Sequence, residues 1–100
     1  MKVTITLDEP YELEVEVNQY LAGGTALLLT ELNGLPFTTV SVHLPETATL
    51  PEGVFFVKHW SENAPIVQQL IEQNIIEVVP EIAPAVSGFV SNIKAYKLKD

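Results

Sequence analysis

Hydrophobic and polar positions alternate strictly at the start of the chain. Val3, Ile5 and Leu7 are separated by Thr4 and Thr6, which predicts a half-buried strand. Asp8-Glu9-Pro10 reads as the turn after it. Tyr11, Leu13, Val15 and Val17 then alternate with Glu12, Glu14 and Glu16, predicting a second strand with one oily face and a ladder of three carboxylates on the other. Asn18 and the Gly23-Gly24 pair bracket a loop.

The next pattern is a hairpin. Residues 26–32 and 35–44 flank Asn33-Gly34, a pair suited to a type I′ turn, whose two central residues need positive φ. A two-residue loop sets Leu32 opposite Leu35, Thr30 opposite Phe37 and Leu27 opposite Val40. One face then carries Leu27, Leu29, Val40, Val42 and Leu44. The other carries Leu28, Leu32, Leu35 and Phe37 near the turn, a candidate surface for self-association, with Thr39, Ser41 and His43 beyond it. Residues 46–53, with Pro45 and Pro51, form a connection, and residues 54–57 form a short buried strand.

One helix is expected over about residues 62–73. Pro65 suits its first turn, Ser61 or Asn63 can cap it, and Glu62 suits the positive end of its dipole. Ile66, Val67, Leu70 and Ile71 share one face, with Gln68, Gln69, Glu72 and Gln73 opposite. Asn74 is the expected left-handed residue that ends it. Residues 75–79 predict a strand broken by Pro80 and Pro84, and residues 85–98 a long strand with a bulge at Gly88. The expected fold is α+β: an antiparallel-rich sheet of about five to seven strands with the helix packed on one face. No repeat or linker interrupts it, so residues 1–100 are read as a single domain.

Composition sharpens this picture. An apolar fraction of 47% with 18% charged residues fits a packed globule. The chain has no cysteine, which removes thiol catalysis and cysteine-based zinc sites. The N-terminal stretch lacks the apolar run of a secretory signal, and no segment approaches the ~20 apolar residues that span a bilayer, so a cytoplasmic location without membrane association is expected. Net charge is −8 and uneven: residues 1–57 carry eight acids and one lysine, residues 58–100 five acids and four lysines. Without a single arginine the chain is poorly equipped to grip phosphates, which argues against direct nucleic-acid binding.

Candidate chemistry is sparse. His43 and His59 are the only histidines, and the H-x-x-E at His59-Trp60-Ser61-Glu62 lacks the second ligand pair that a metal site needs. None of the serines sits in a G-x-S-x-G elbow. Glu12, Glu14 and Glu16 could pair as acid and base, but alternate residues on an exposed strand are ordinarily solvated. Neither Gly23-Gly24 nor Asn33-Gly34 leads into a helix N-terminus that could cradle phosphate. No catalytic residue, cofactor or metal ligand is assigned, and a non-enzymatic protein is expected. Trp60 reads either as a hydrophobic staple against Pro65 or Ile66, or as an aromatic anchor for a partner.

Val57-Lys58, Ser61-Glu62-Asn63, the Leu70 helix, the Asn74-Ile75 exit and Ser87-Gly88-Phe89-Val90 together resemble a family of short uncharacterised bacterial proteins. That family, a domain of unknown function, occurs in Gram-positive bacteria, their phages and mobile elements. The resemblance spans roughly residues 26–98. It departs at Pro80-Glu81-Ile82-Ala83-Pro84, where the family pattern has a Thr-Gly turn, and it implies no activity. The expectation is an interaction or accessory protein with an unidentified protein partner, a second copy of the chain being one candidate. The candidate partner surface is Glu12, Glu14, Glu16, Leu35, Phe37 and Trp60. The alternative is a small-molecule-binding or enzymatic domain with a pocket near His43, His59 and Trp60.

Overall fold

The computed structural model describes residues 1–21, 23–44 and 50–99; the first part of the expected connection at residues 46–53 lies outside them. Four strands form an antiparallel meander in the order β1-β2-β3-β4: β1 (Lys2–Thr6), β2 (Pro10–Gln19), β3 (Thr25–Glu31) and β4 (Pro36–Thr39). Alternation decides which way these strands face. Val3, Ile5, Leu13, Val15, Leu27 and Leu29 are buried on one side, and Glu12, Glu14 and Glu16 stand on the other.

The hairpin at Asn33-Gly34 forms with a different turn. Only Gly34 takes a positive φ, +92°, so the turn is not type I′. Gly34 N–H donates to Glu31 C=O at 2.8 Å, and Glu31 N–H to Leu35 C=O at 2.8 Å. This three-residue loop introduces a bulge, so Thr30 pairs with Pro36 rather than Phe37, while Leu28–Thr39 and the Leu27–Val40 contact keep the expected register.

Val40 is where the chain changes sheets. Its N–H donates to Leu27 C=O, and its C=O accepts from Lys58 N–H, both at 2.8 Å. Beyond it, β5 (Ser41–Val42) pairs with β6 (Val54–Val57) in a second antiparallel sheet of order β5-β6-β10-β7, with β7 (Ile76–Val78) and β10 (Ala95–Leu98). A third, two-stranded sheet joins β8 (Ala85–Ser87) to β9 (Val90–Ile93). Among the described residues the expected single sheet of five to seven strands is therefore ten strands in three sheets, and the long strand over residues 85–98 is three short ones. Gly88 (φ +60°) and Phe89 turn the chain back on itself, and a second left-handed residue, Asn92, makes β9 irregular.

The helix, α1 (Ala64–Glu72), follows a 3-10 turn over Ser61–Asn63. It lies at a seam, contacting β1 on one side and β7 on the other, so it closes the gap between the two four-stranded sheets rather than covering one face. Ile66, Val67 and Leu70 enter the core as their spacing predicts. Asn74 (φ +59°) ends it in a Schellman arrangement, with Ile75 N–H to Leu70 C=O at 2.9 Å and Asn74 N–H to Ile71 C=O at 3.0 Å.

The expected helix cap is not formed. Asn63 is the residue before α1, but its side chain makes no capping bond. It is fully buried and reaches β4, accepting from Thr38 Oγ1 and donating to Thr39 C=O, each at 2.8 Å. Ser61 has φ +60° and turns its hydroxyl to Glu62 instead.

Two cores result, separated by β6. Phe55 and Val57 face the main core with α1 and the meander; Val54 and Phe56 face a smaller one with Ala85, Ile93 and Ala95. No helix among the described residues is long and apolar enough to cross a membrane.

Candidate interaction face

The outer face of the meander is exposed along β1 and at Glu12 and Glu16 of β2, half-buried at Glu14 and Leu28, and buried at Thr30. From β1 it carries Lys2, Thr4 and Thr6; from β2, Glu12, Glu14 and Glu16; from β3, Leu28 and Thr30, with Thr39 beside Leu28. Successive carboxylates on β2 stand ~6.5–7 Å apart, the repeat of alternate strand residues. Glu14 pairs with the terminal ammonium of Met1 and faces Lys2 across the strand pair. Glu12 and Glu16 make no ion pair among the described residues. The acidity of this half is felt by Tyr11. Its hydroxyl donates to Asp8 Oδ1 at 3.1 Å, and that bond, then slight desolvation and the charges of Asp8, Glu9 and Glu31, raise the phenol's pKa.

At the free side of β1, the helix supplies a substitute for a neighbouring strand. Thr6 N–H donates to Gln69 Oε1 at 2.8 Å while Gln69 Nε2 donates to Thr6 C=O at 2.7 Å. Gln73 Nε2 donates to Thr4 C=O at 2.8 Å. Beside Gln73 lies a cleft of about 500 Å³ lined by Lys2, Val3, Thr4, Thr6 and Glu12. Gln69 and Gln73 were expected simply to face solvent; their spacing of four along one helix face was the available signal.

The remaining expected site residues disperse. Leu35 is exposed at the hairpin tip. Phe37 does not join it: the bulge turns its ring inward, where it packs on the main core, 5.3 Å from the ring of Tyr11. The self-association surface of Leu28, Leu32, Leu35 and Phe37 is thus divided between the two sides of the meander. Trp60 is half-buried against the smaller core, while Ile66 belongs to the main one, so the expected staple against Ile66 is not formed.

Of His43, His59 and Trp60, the last two are in ring contact with each other. The His43 ring packs at a tilt of 42° against Tyr20, with ring centroids 5.2 Å apart. His59 meets the edge of Trp60 at 5.4 Å and lies 3.3 Å from Ser91 C=O. Neither the cleft beside β1 nor a second one of about 250 Å³, between Val17, Phe55 and Leu98, includes any of the three. Among the described residues no group of three or more His, Asp or Glu is arranged to hold a metal ion. Comparison with protein-family models, with characterised proteins and with solved structures found no match to this chain.

Proposed function

We propose that this chain is a non-enzymatic interaction protein that docks a basic partner on the outer face of its N-terminal meander. The observation that carries the reading is the row of Glu12, Glu14 and Glu16 on one sheet face, the first and last of them exposed and without a cationic partner among the described residues. Like charges held in a row repel one another and are tolerated when solvent, salt or a cationic surface screens them. A complementary surface gains from the same field, chiefly in rate of encounter and choice of partner. If the resemblance of its short motifs to a family of phage and mobile-element proteins holds, the setting would be that of an accessory protein acting on a host component in the cytoplasm.

Replacing Glu12, Glu14 and Glu16 together with Gln tests the reading. The triple variant is expected to fold, to gain slightly in stability at low salt, and to lose the partners that wild-type protein captures from source cells. Recovery of every wild-type partner by the triple variant would reduce the ladder to a solvated face.

A further inference from the structure

We infer that the partner engages this face as an extended basic segment, adding a strand to the N-terminal half of β1; the inference rests on the reading above and specifies how docking occurs. The geometry of β1 carries it. Val15 N–H donates to Met1 C=O at 2.8 Å, which fixes the odd-numbered residues of β1 as those bonded to β2. Lys2, Thr4 and Thr6 therefore turn their backbone groups away from the sheet. Gln69 satisfies both groups of Thr6, and Gln73 satisfies the C=O of Thr4. Among the described residues no partner is found for the N–H and C=O of Lys2 or the N–H of Thr4. Those groups border the 500 Å³ cleft, and Lys2, Thr4 and Gln73 around it are exposed.

An edge half sealed by carboxamides and half open has a definite occupant. A free row of strand donors and acceptors is matched by another extended backbone, which supplies affinity through main-chain bonds and selectivity through alternate side chains. An added strand would lie ~5 Å from β1 and ~10 Å from β2. Its outward side chain beside Thr4 would then lie within the span of a lysine or arginine from Glu12, which lines the same cleft. A second copy of this chain, with charge −8 and its own carboxylate ladder, would bring acid against acid. The basic segment is the complementary choice, with a small or neutral residue beside Lys2.

The test uses the full chain and a blocked six-residue peptide alternating valine and lysine as probe, followed by the amide resonances of Lys2 and Thr4. Binding is expected to shift both resonances and slow their hydrogen exchange. N-methylation of the peptide amides that face β1 should weaken binding about tenfold or more, since it removes main-chain bonds to the open edge. A Thr4→Pro variant, which deletes the outward N–H without touching the β1–β2 ladder, should show the same loss, whereas Thr4→Val should not. Equal binding of the N-methylated peptide, with the Lys2 and Thr4 amides unprotected, overturns strand addition. If the Glu12, Glu14 and Glu16 to Gln variant still abolished that binding, the charged face would stand without it. Equal binding of a valine–glutamate peptide overturns the basic occupant, and failure of every peptide to bind overturns the inference as a whole.

Discussion

The two cores meet at one strand yet are built differently. The main core is enclosed by regular elements: the meander on one side, β6, β10 and β7 on the other, and α1 across the seam. Its buried members are mostly long aliphatic side chains from strands and the helix. The smaller core has five buried residues, two of them alanines, and a surround of half-buried Val42, Leu44, Leu50, Trp60, Val79, Ile82 and Val90. Much of that surround comes from loops and from the β8–β9 hairpin, whose tip leaves Phe89 fully exposed and Val86 67% exposed. Burial by ladders and a helix face gives dense, mutually fixed packing. Burial by loops leaves room for local opening, because fewer apolar contacts oppose it.

The largest effect should come from the main core. Leu70→Ala removes a fully buried side chain where helix and sheets converge, and is expected to cost ~2–5 kcal/mol by denaturant melting. Ile82→Ala, at the half-buried rim of the smaller core, should cost clearly less. Equal losses would erase the distinction between the cores. Native-state hydrogen exchange should agree, with β8 and β9 amides opening at lower free energy than those of β2 and β3.

Asn63 comes next, because it ties α1's entry to the strand that crosses between sheets. Asn63→Ala leaves the Thr38 hydroxyl and the Thr39 carbonyl without their partner and should cost ~1–3 kcal/mol. Asn63→Asp decides between clamp and cap. Aspartate caps helices about as well as asparagine, so tolerance would restore the capping role. The clamp predicts a loss, since a carboxylate cannot donate to Thr39 C=O and would bury a charge. Gln69→Ala, at the exposed edge of β1, should cost ~1 kcal/mol and speed exchange of the Thr6 amide.

The smallest effect concerns Glu62, on the segment joining β6 to α1. The Ser61 hydroxyl, then its own backbone N–H and the Lys58 ammonium, hold its carboxyl below the ordinary pKa. A lowered folded-state pKa gives stability that is present above the unfolded value and lost as pH falls through the depressed one. Glu62→Gln should slightly flatten the acid side of the stability profile, and an unchanged profile would leave the Ser61 and Lys58 contacts without consequence.

The main core was legible because periodicity reports directly on burial. Val3, Ile5, Leu13 and Val15 alternate, Ile66, Val67 and Leu70 share one helix face, and both patterns appear where expected. Partition into sheets was not legible. Val40 and Val42 continue one alternating pattern, yet one lies in each core, because the strand bends between them and nothing in the spacing marks the bend. Residues 85–98 misled for a related reason: turn residues Gly88 and Asn92 sit in an otherwise strand-like composition. Of the candidate face, the carboxylate ladder could be read at once. The β1 edge could not, since backbone groups left open by a helix's glutamines exist only after tertiary packing.

The position of β10 in its sheet also bears on how the chain must assemble as it is made. β10 lies between β6 and β7, although both precede it in the chain. The meander can form as soon as its four consecutive strands have emerged, since each pairs with its neighbour in sequence. Val54-Phe55-Phe56-Val57 has no such option: β5 offers it only two residues, and its longer partner, β10, is the last of the described strands to emerge. For that interval a nascent chain carries an uncharged, β-prone segment with one side unpaired, the kind of stretch that seeks other chains. Slow synthesis or early termination within the last strands would prolong that exposure, making yield of soluble protein more sensitive to events near residues 95–98 than to the far more acidic beginning of the chain.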